Sequence, residues 1–331
     1  MRAFEQLKTL LLIKPGSLGD IVHALPCAAA LKTHLPEARL LWLVDERWKA
    51  VLTDNPAIDG TIVFPRQRFA GLAGFFRAIP WALGLKSLQP DIALDLQGLL
   101  RSALMARLSR ARRIVGLADA REGATWFYQD TAEVRDSEHA VLRYLRALEV
   151  LGVPRVTKPV FPLPAGVPPD TSLRSDKFIL LHPFARGEGK SLSQAQVTQF
   201  CRAVQPTPVV LAGFGEMQTE TPGNTTNLLN QTNIRQMIWL VRAAACVVSV
   251  DSGPMHIAAA ANPRILSIHT WSDPRLVGPF NEQAWIWQGG EIRRQDLQAS
   301  SIRPARSPES ADVLNMAEFA AQIAENRAAM L

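Results

Sequence analysis

The chain has 331 residues, of which 47% are apolar and 20% charged, a length that is long for one hydrophobic core and suits two. Its three cysteines, Cys27, Cys201 and Cys246, lie in apolar or helical contexts; their number and spacing exclude a disulfide framework and a zinc site and fit the reduced thiols of a cytosolic protein. No stretch approaches the roughly 20 apolar residues of a membrane span, the N-terminus shows no signal-peptide pattern, and the net charge of +6 calls for an explanation of where it sits.

In chain order, apolar strand-like runs fall at Leu10–Ile13, Leu40–Val44, Ile62–Phe64, Ile92–Leu96 and Ile114–Gly116, with helical segments at Asp20–His34, Arg47–Thr53, Gly71–Leu88, Leu100–Leu108 and Ala140–Leu151. This alternation predicts a parallel, doubly wound α/β sheet. Six prolines between Val153 and Lys177 then predict a stiff extended linker. The alternation restarts with strands at Phe178–His182, Val209–Ala212, Val247–Val250 and Ile265–Ile268, and helices at Ser193–Val204, Ile234–Ala244, Met255–Ala261 and Ala311–Ala329. The resulting division is residues 1–155, a linker over 156–177, a second domain over 178–310 and a C-terminal helix over 311–331.

Charge is uneven. Between Arg66 and Arg121 there are ten Lys/Arg against three acids, while the rest of the chain is close to neutral. Such an excess fits an acidic partner, whether nucleic acid, anionic lipid or a phosphorylated or carboxylated substrate, and it also fits a solvated helix face.

Two strand–loop–helix passages stand out. In Asp251-Ser-Gly-Pro-Met-His256 an apolar strand enters a tight turn and then a helix, leaving N–H groups that favour an anion. Near the start, Leu10–Ile13 runs into Lys14-Pro-Gly-Ser-Leu-Gly-Asp20. Ligands of such sheets bind at the carboxyl ends of the strands, where both loops lie. Asp20 fits a helix cap and equally a general base for an attacking hydroxyl. Gly16 and Gly19 permit close backbone approach, but the pattern is neither GxGxxG nor a Walker loop. Lys190, flanked by glycines, fits a diphosphate ligand or a solvated loop lysine. Glu216, after the strand ending at Ala212, fits a ribose ligand or a surface loop, with Glu220 as a rival. His256 fits a phosphate ligand or a packed core histidine.

The motif Lys14-Pro-Gly-Ser-Leu-Gly-Asp20-Ile-Val-His23-Ala-Leu-Pro26 resembles the opening of the ADP-heptose:lipopolysaccharide heptosyltransferases, glycosyltransferase family 9. Asp251-Ser-Gly-Pro-Met-His256 is similar to that family's D-[ST]-G-x-x-H helix start. Asp95-Leu-Gln97-Gly98-Leu-Leu-Arg101-Ser102-Ala103 and Ala120-Arg121-Glu122 also match, closest to the heptosyltransferase I branch. The resemblance spans nearly the whole chain. It implies a GT-B fold, two Rossmann-like domains facing across a cleft, with the C-terminal helix folded back on the first. It implies an inverting enzyme that moves heptose from ADP-L-glycero-D-manno-heptose to a Kdo residue of a Kdo-lipid A acceptor, without a metal or other cofactor. Asp20 would be the base and Lys190 would hold the diphosphate. Ser17 and Gly19 would shape the base loop, and Ser252, Gly253, Pro254 and Met255 would offer backbone N–H groups to the diphosphate. Asp251 and His256 would sit in the donor site and Glu216 near the ribose. Arg66, Arg68, Gln97, Arg101 and Arg121 would meet the anionic acceptor at the cytoplasmic face of the inner membrane, a peripheral contact. Nucleic acid is not expected, since no DNA-reading motif appears.

Two departures from the family pattern fall on the donor side: Lys190 is followed by Ser-Leu-Ser, and His269-Thr-Trp271-Ser-Asp273-Pro274 replaces Gly-Pro-Thr-Asp-Pro. The alternatives to heptose transfer are therefore another nucleotide sugar in a GT-B transferase or epimerase, or a non-catalytic binder of anionic glycolipid or nucleic acid.

Overall fold

The computed structural model describes residues 7–171, 173, 178–299 and 301–325. The last residues of the expected linker, 174–177, and the end of the expected C-terminal helix, 326–329, lie outside that set. The chain forms two compact units, Met1–Pro164 and Ala165–Leu331, dividing within the proline-rich segment.

The first unit runs β1 (Thr9–Ile13), α1 (Leu18–His34), β2 (Arg39–Asp45), α2 (Lys49–Leu52), β3 (Gly60–Phe64), α3 (Gly71–Gly84), β4 (Ile92–Asp95), α4 (Leu100–Leu108), β5 (Arg113–Leu117), β6 (Asp130–Ala132) and α5 (Ala140–Glu149). Its six strands are parallel in the order β3-β2-β1-β4-β5-β6. Strands covered by helices on both faces must be apolar throughout, which is why Leu10–Ile13 and Ile92–Leu94 are buried without alternation. The chain order reverses between β1 and β4, so their carboxyl ends part and leave a crevice.

The second unit repeats the plan with β7 (Ile179–His182), α6 (Gln194–Ala203), β8 (Val209–Gly213), β9 (Thr225–Leu229), α7 (Ile234–Ala243), β10 (Cys246–Val250), α8 (Gly253–Ala261), β11 (Ile265–Ile268), α9 (Pro274–Val277), β12 (Trp285–Gln288), β13 (Glu291–Arg294) and α10 (Ser310–Glu325). The order is β13-β12-β11-β10-β7-β8-β9, parallel except for the β12–β13 hairpin. The switch point lies between β7 and β10.

Several elements differ from the expectation. The helix expected over Gly71–Leu88 ends at Gly84 and tightens into a 3-10 turn at Leu85–Ser87. The one expected over Arg47–Thr53 is a 3-10 turn, Glu46–Trp48, followed by the single turn α2. The strands β6, β9, β12 and β13 were not expected. The C-terminal helix, expected on the first domain, buries Val313, Met316, Ala317, Ala320 and Ile323 in the core of the second, against Val197, Cys201 and Val248. That apolar stripe at helical spacing is the packing face of α10.

Candidate active site

In the first unit the β-sheet pairing outlasts β1. The Lys14 N–H donates to Leu43 O, and Asp45 N–H donates to Pro15 O, so the loop leaves the sheet in a fixed direction. Ser17 then caps α1, and its N–H and hydroxyl both donate to Asp20 Oδ2 at 2.9 and 2.8 Å. Tyr144, on α5, donates its hydroxyl to Asp20 Oδ1 at 2.9 Å. Gly19 is buried in the first turn of α1.

Beneath Asp20 lies Lys14, almost wholly buried. Its Nζ is 3.9 Å from Asp20 Oδ1, donates to Leu96 O at 2.9 Å, and sits 4.6 Å from the Tyr144 ring centroid. Burial lowers the Lys14 pKa, with Asp20 and then Asp95 pulling it back. For Asp20, burial acts to raise the pKa, but Lys14, the two Ser17 donors and the Tyr144 hydroxyl together hold it below the ordinary carboxylate value. The carboxylate is therefore ionised at neutral pH while about a third of its side-chain surface, 36%, stays open.

Across the switch point, Asp95 closes β4 and is fully buried. It accepts from Tyr128 Oη and Ser102 Oγ, each at 2.8 Å, and from the N–H groups of Gln97 (2.9 Å) and Gly98 (3.2 Å). Burial raises its pKa in spite of these four donors. The bonds fold the chain after β4 into a tight turn, with Gly98 in the left-handed region at φ 66°, where a side chain would also crowd Ala120. A cavity of about 420 Å³ results, lined by Lys14, Asp20, Gln97, Arg121, Arg143 and Tyr144 among others.

Of the residues expected at the acceptor, Gln97 and Arg121 share this cavity with Asp20. Arg66, Arg68 and Arg101 do not line it. Arg68 pairs with Glu46 at 2.8 Å, and the Arg101 guanidinium lies 5.7 Å from the Phe64 ring, its pKa lowered by burial and then by Arg66. Lys14, Asp95, Tyr144 and Arg143 carried no expected role. Lys14 and Asp95 had a visible signal, a charged residue closing an apolar strand; Tyr144 and Arg143 had none.

In the second unit, Asp251 follows β10 and is buried. Its Oδ2 accepts no hydrogen bond. Burial raises its pKa, against the pull of the Ser272 hydroxyl and Lys190. Its neighbour His269, at 4.0 Å, is no counter-ion: burial lowers the imidazole pKa to about 3, and Ser267 and Ser272 hold the ring at 3.1 and 2.9 Å. His256 is buried on α8, and its charge would act on His269.

The turn into α8 corrects one expectation. Pro254 has no N–H to offer. The Met255 N–H donates to Ser252 O at 3.0 Å, so Ser252 and Gly253 remain as the donors of this turn. The Ser252 hydroxyl lies 3.3 Å from His182 Nδ1, linking the ends of β7 and β10.

Lys190 reaches this switch point from the loop after β7. Its Nζ sits 3.4 Å from the centroid of the Trp271 ring, and Thr270 Oγ1 donates to Gly189 O at 2.7 Å. The two segments that depart from the family pattern thus touch each other. Glu216 and Glu220 are both exposed in the loop after β8; the paired bonds of Gly215 with the Asn230 side chain fix the chain just before Glu216.

Comparison with known proteins decides the class of this site. The model of glycosyltransferase family 9 (heptosyltransferase) matches residues 82–303. The chain belongs to that family. It is a glycosyltransferase with the GT-B fold, built from two Rossmann-like units. The match takes in Lys190, Glu216 and 251–256 and begins after Asp20. The lipopolysaccharide core heptosyltransferase OpsX of Haemophilus influenzae is 24% identical over 302 residues, covering 84% of this chain and 83% of its own. Lipopolysaccharide heptosyltransferase 1 of Pseudomonas aeruginosa is 26% identical over 299 residues, covering 82% and 81%. The structure of E. coli heptosyltransferase WaaC with ADP shares the fold with a TM-score of 0.76 and 18% identity, over 95% of this chain and 99% of that one.

Proposed function

We propose that this family 9 enzyme transfers a heptose from ADP-L-glycero-D-manno-heptose, with inversion, to a Kdo residue of a Kdo-lipid A acceptor at the inner face of the inner membrane. The observation that carries this reading is Asp20: an ionised carboxylate, braced by Lys14, Ser17 and Tyr144, opening on a cavity that also holds Gln97 and Arg121. Arg121 and Arg143, which line that cavity, give the acceptor's carboxylate and phosphates a reason to settle there.

The acceptor hydroxyl attacks the anomeric carbon as the bond to the diphosphate oxygen breaks on the opposite face. A new glycosidic C–O bond forms, ADP leaves, and the hydroxyl proton passes to Asp20. A carboxylate held below its ordinary pKa is a weak base, so that proton moves late, once C–O bond formation has made the hydroxyl acidic. Lys190 and the Ser252 and Gly253 N–H groups meet the charge developing on the leaving diphosphate, as fixed dipoles that need little reorganisation. The unpartnered Asp251 Oδ2 accepts from a sugar hydroxyl, and Glu216 from the ribose. Among the described residues no group of three or more His, Cys, Asp or Glu is placed to hold a metal ion.

The test is ADP release from ADP-heptose with and without Kdo-lipid A, for the wild type and Asp20→Ala. Acceptor-dependent release that is lost in the variant is the expected result. Release from a different nucleotide sugar, with none from ADP-heptose, would move the substrate to the second reading, which the altered Lys190 and Trp271 loops favour. Turnover of Asp20→Ala within a few-fold of wild type would refute the base.

A further inference from the structure

The outer faces of α3 and α4 are not used by the chemistry above. On α3, Phe76, Ile79 and Leu83 are 63, 43 and 49% exposed, and on α4 Leu100 and Leu104 are 38 and 40% exposed. The spacings, three and four residues on α3 and four on α4, place each set along one helix face. Single exposed apolar residues need no explanation, but five large ones on neighbouring helices form a patch.

This patch is not a loosely packed core. The other side of α3 is anchored by Trp81, whose Nε1 donates to Val63 O at 2.9 Å and whose ring meets those of Phe64 and Phe69 at 5.2 and 5.6 Å. Phe69 in turn packs on Phe64 at 5.8 Å. With its inner face fixed in this way, the helix holds its outer face toward solvent.

The surrounding charge selects the occupant. From Pro65 to Pro90 there is no Asp or Glu, while Arg66, Arg68, Arg77 and Lys86 are present; α4 likewise carries Arg101 and Arg107 and no acid. Glu46 pairs with Arg68 and Glu122 accepts from the Leu100 N–H at the margin, but the segment itself stays net positive, and a second copy would bring that charge against itself, which Coulomb repulsion opposes. An anionic bilayer supplies both an apolar interior and negative headgroups. The helix is about 21 Å long at ~1.5 Å per residue, too short to cross ~30 Å of hydrocarbon, and no described helix is long and apolar enough to span a membrane. It can lie in the interface plane.

We infer that α3, supported by the exposed edge of α4, is a membrane-docking surface: Phe76, Ile79 and Leu83 enter the acyl boundary of an anionic leaflet while Arg66, Arg77 and Lys86 contact its headgroups. The choice of a bilayer rests on the lipid-linked acceptor of the proposed function, but the test uses neither donor nor acceptor, so a failed transfer assay leaves it standing.

The experiment is co-sedimentation of the full chain with phosphatidylglycerol–phosphatidylethanolamine vesicles and with phosphatidylcholine vesicles. The expected result is binding to the anionic vesicles only, weakening with salt. The triple variant F76Q/I79Q/L83Q is expected to lose about tenfold or more in vesicle partitioning while its Tm stays at the wild-type value. Should that variant fail to fold, Arg77→Glu, an exposed single change, is expected to weaken anionic-vesicle binding several-fold. Wild-type protein that ignores anionic vesicles, substituted protein that binds them as tightly as wild type, or a wild-type dimer that the triple substitution dissolves would overturn the inference.

Discussion

Each unit places an aspartate at its sheet's switch point, and the two are treated in opposite ways. Asp20 is surrounded by donors: two from Ser17, one from Tyr144, with the Lys14 ammonium below. Asp251 is buried with Oδ2 unpartnered, beside a histidine that burial keeps neutral. The fold stabilises the first charge by itself and leaves the second without that support. In the proposed reaction, Asp20 as base has to be ionised before the acceptor arrives, whereas Asp251 in the donor site would gain specificity by having its missing bond supplied by the right sugar. Stability and function thus coincide at Asp20 and oppose each other at Asp251 in that reaction.

The largest effect is expected at Asp20. Asp20→Asn should lower kcat by about 10²–10⁴-fold, and it should also destabilise the protein by about 1–2 kcal/mol, because a cap is lost and Lys14 is left buried beside a neutral amide. Steady-state rates and denaturant unfolding measure the two separately. Next is Lys190→Ala, expected to lower kcat by about 10²-fold through the leaving group, with little change in stability since the lysine is a loop residue. If Lys190→Ala raised KM alone, its role would be ground-state binding.

These two aspartates also show what the chain discloses. Asp20 and the 251–256 turn are legible because the relevant geometry is local: a strand, a tight loop and a helix in consecutive residues. Pro254 is equally readable from the sequence as a residue with no N–H to donate. Tyr144 was not legible, since it meets Asp20 across 124 residues of chain. Neither was the Lys190–Trp271 contact, which depends on loops after two different strands. In the fold, the buried central strands announce themselves as apolar runs. The edge strand Thr225–Leu229 has a neighbour on one side only and keeps polar residues, so it reads as loop. The hairpin Trp285–Arg294 was missed although Gly289 and Gly290, both at positive φ, mark its two-residue turn.

Asp251 gives the third prediction. Its pKa is raised in the folded state, so in the window above its unfolded value the native protein holds the proton longer and stability falls as pH rises. Asp251→Asn should therefore leave stability at neutral pH unchanged or increased, while weakening ADP-heptose binding by about tenfold or more, as titration calorimetry would read. Tyr144→Phe removes one of the contacts that lower the Asp20 pKa. The acid limb of the kcat/KM profile, where activity falls as Asp20 protonates, should move to higher pH; an unmoved limb would mean that Asp20 does not set it. The smallest effect is expected at Trp271. Trp271→Leu should lower turnover about two- to fivefold by freeing Lys190, at ~0.5–1 kcal/mol for an exposed cation–π contact, and Trp271→Phe should restore most of it.

The contrast between the two carboxylates is tested most directly by thermal unfolding of the wild type, Asp20→Asn and Asp251→Asn at neutral pH, each with and without ADP-heptose at about ten times the wild-type Kd. Ligand at free concentration L that binds only the native state stabilises it by RT ln(1 + L/Kd), so the rise in Tm grows with the logarithm of its affinity. Asp20→Asn is expected to unfold below the wild type yet keep the full ligand-induced rise, and Asp251→Asn to unfold at or above the wild type and lose most of that rise. The opposite pattern, a destabilised Asp251→Asn that still responds to ligand beside a fully stable Asp20→Asn that does not, would contradict that contrast.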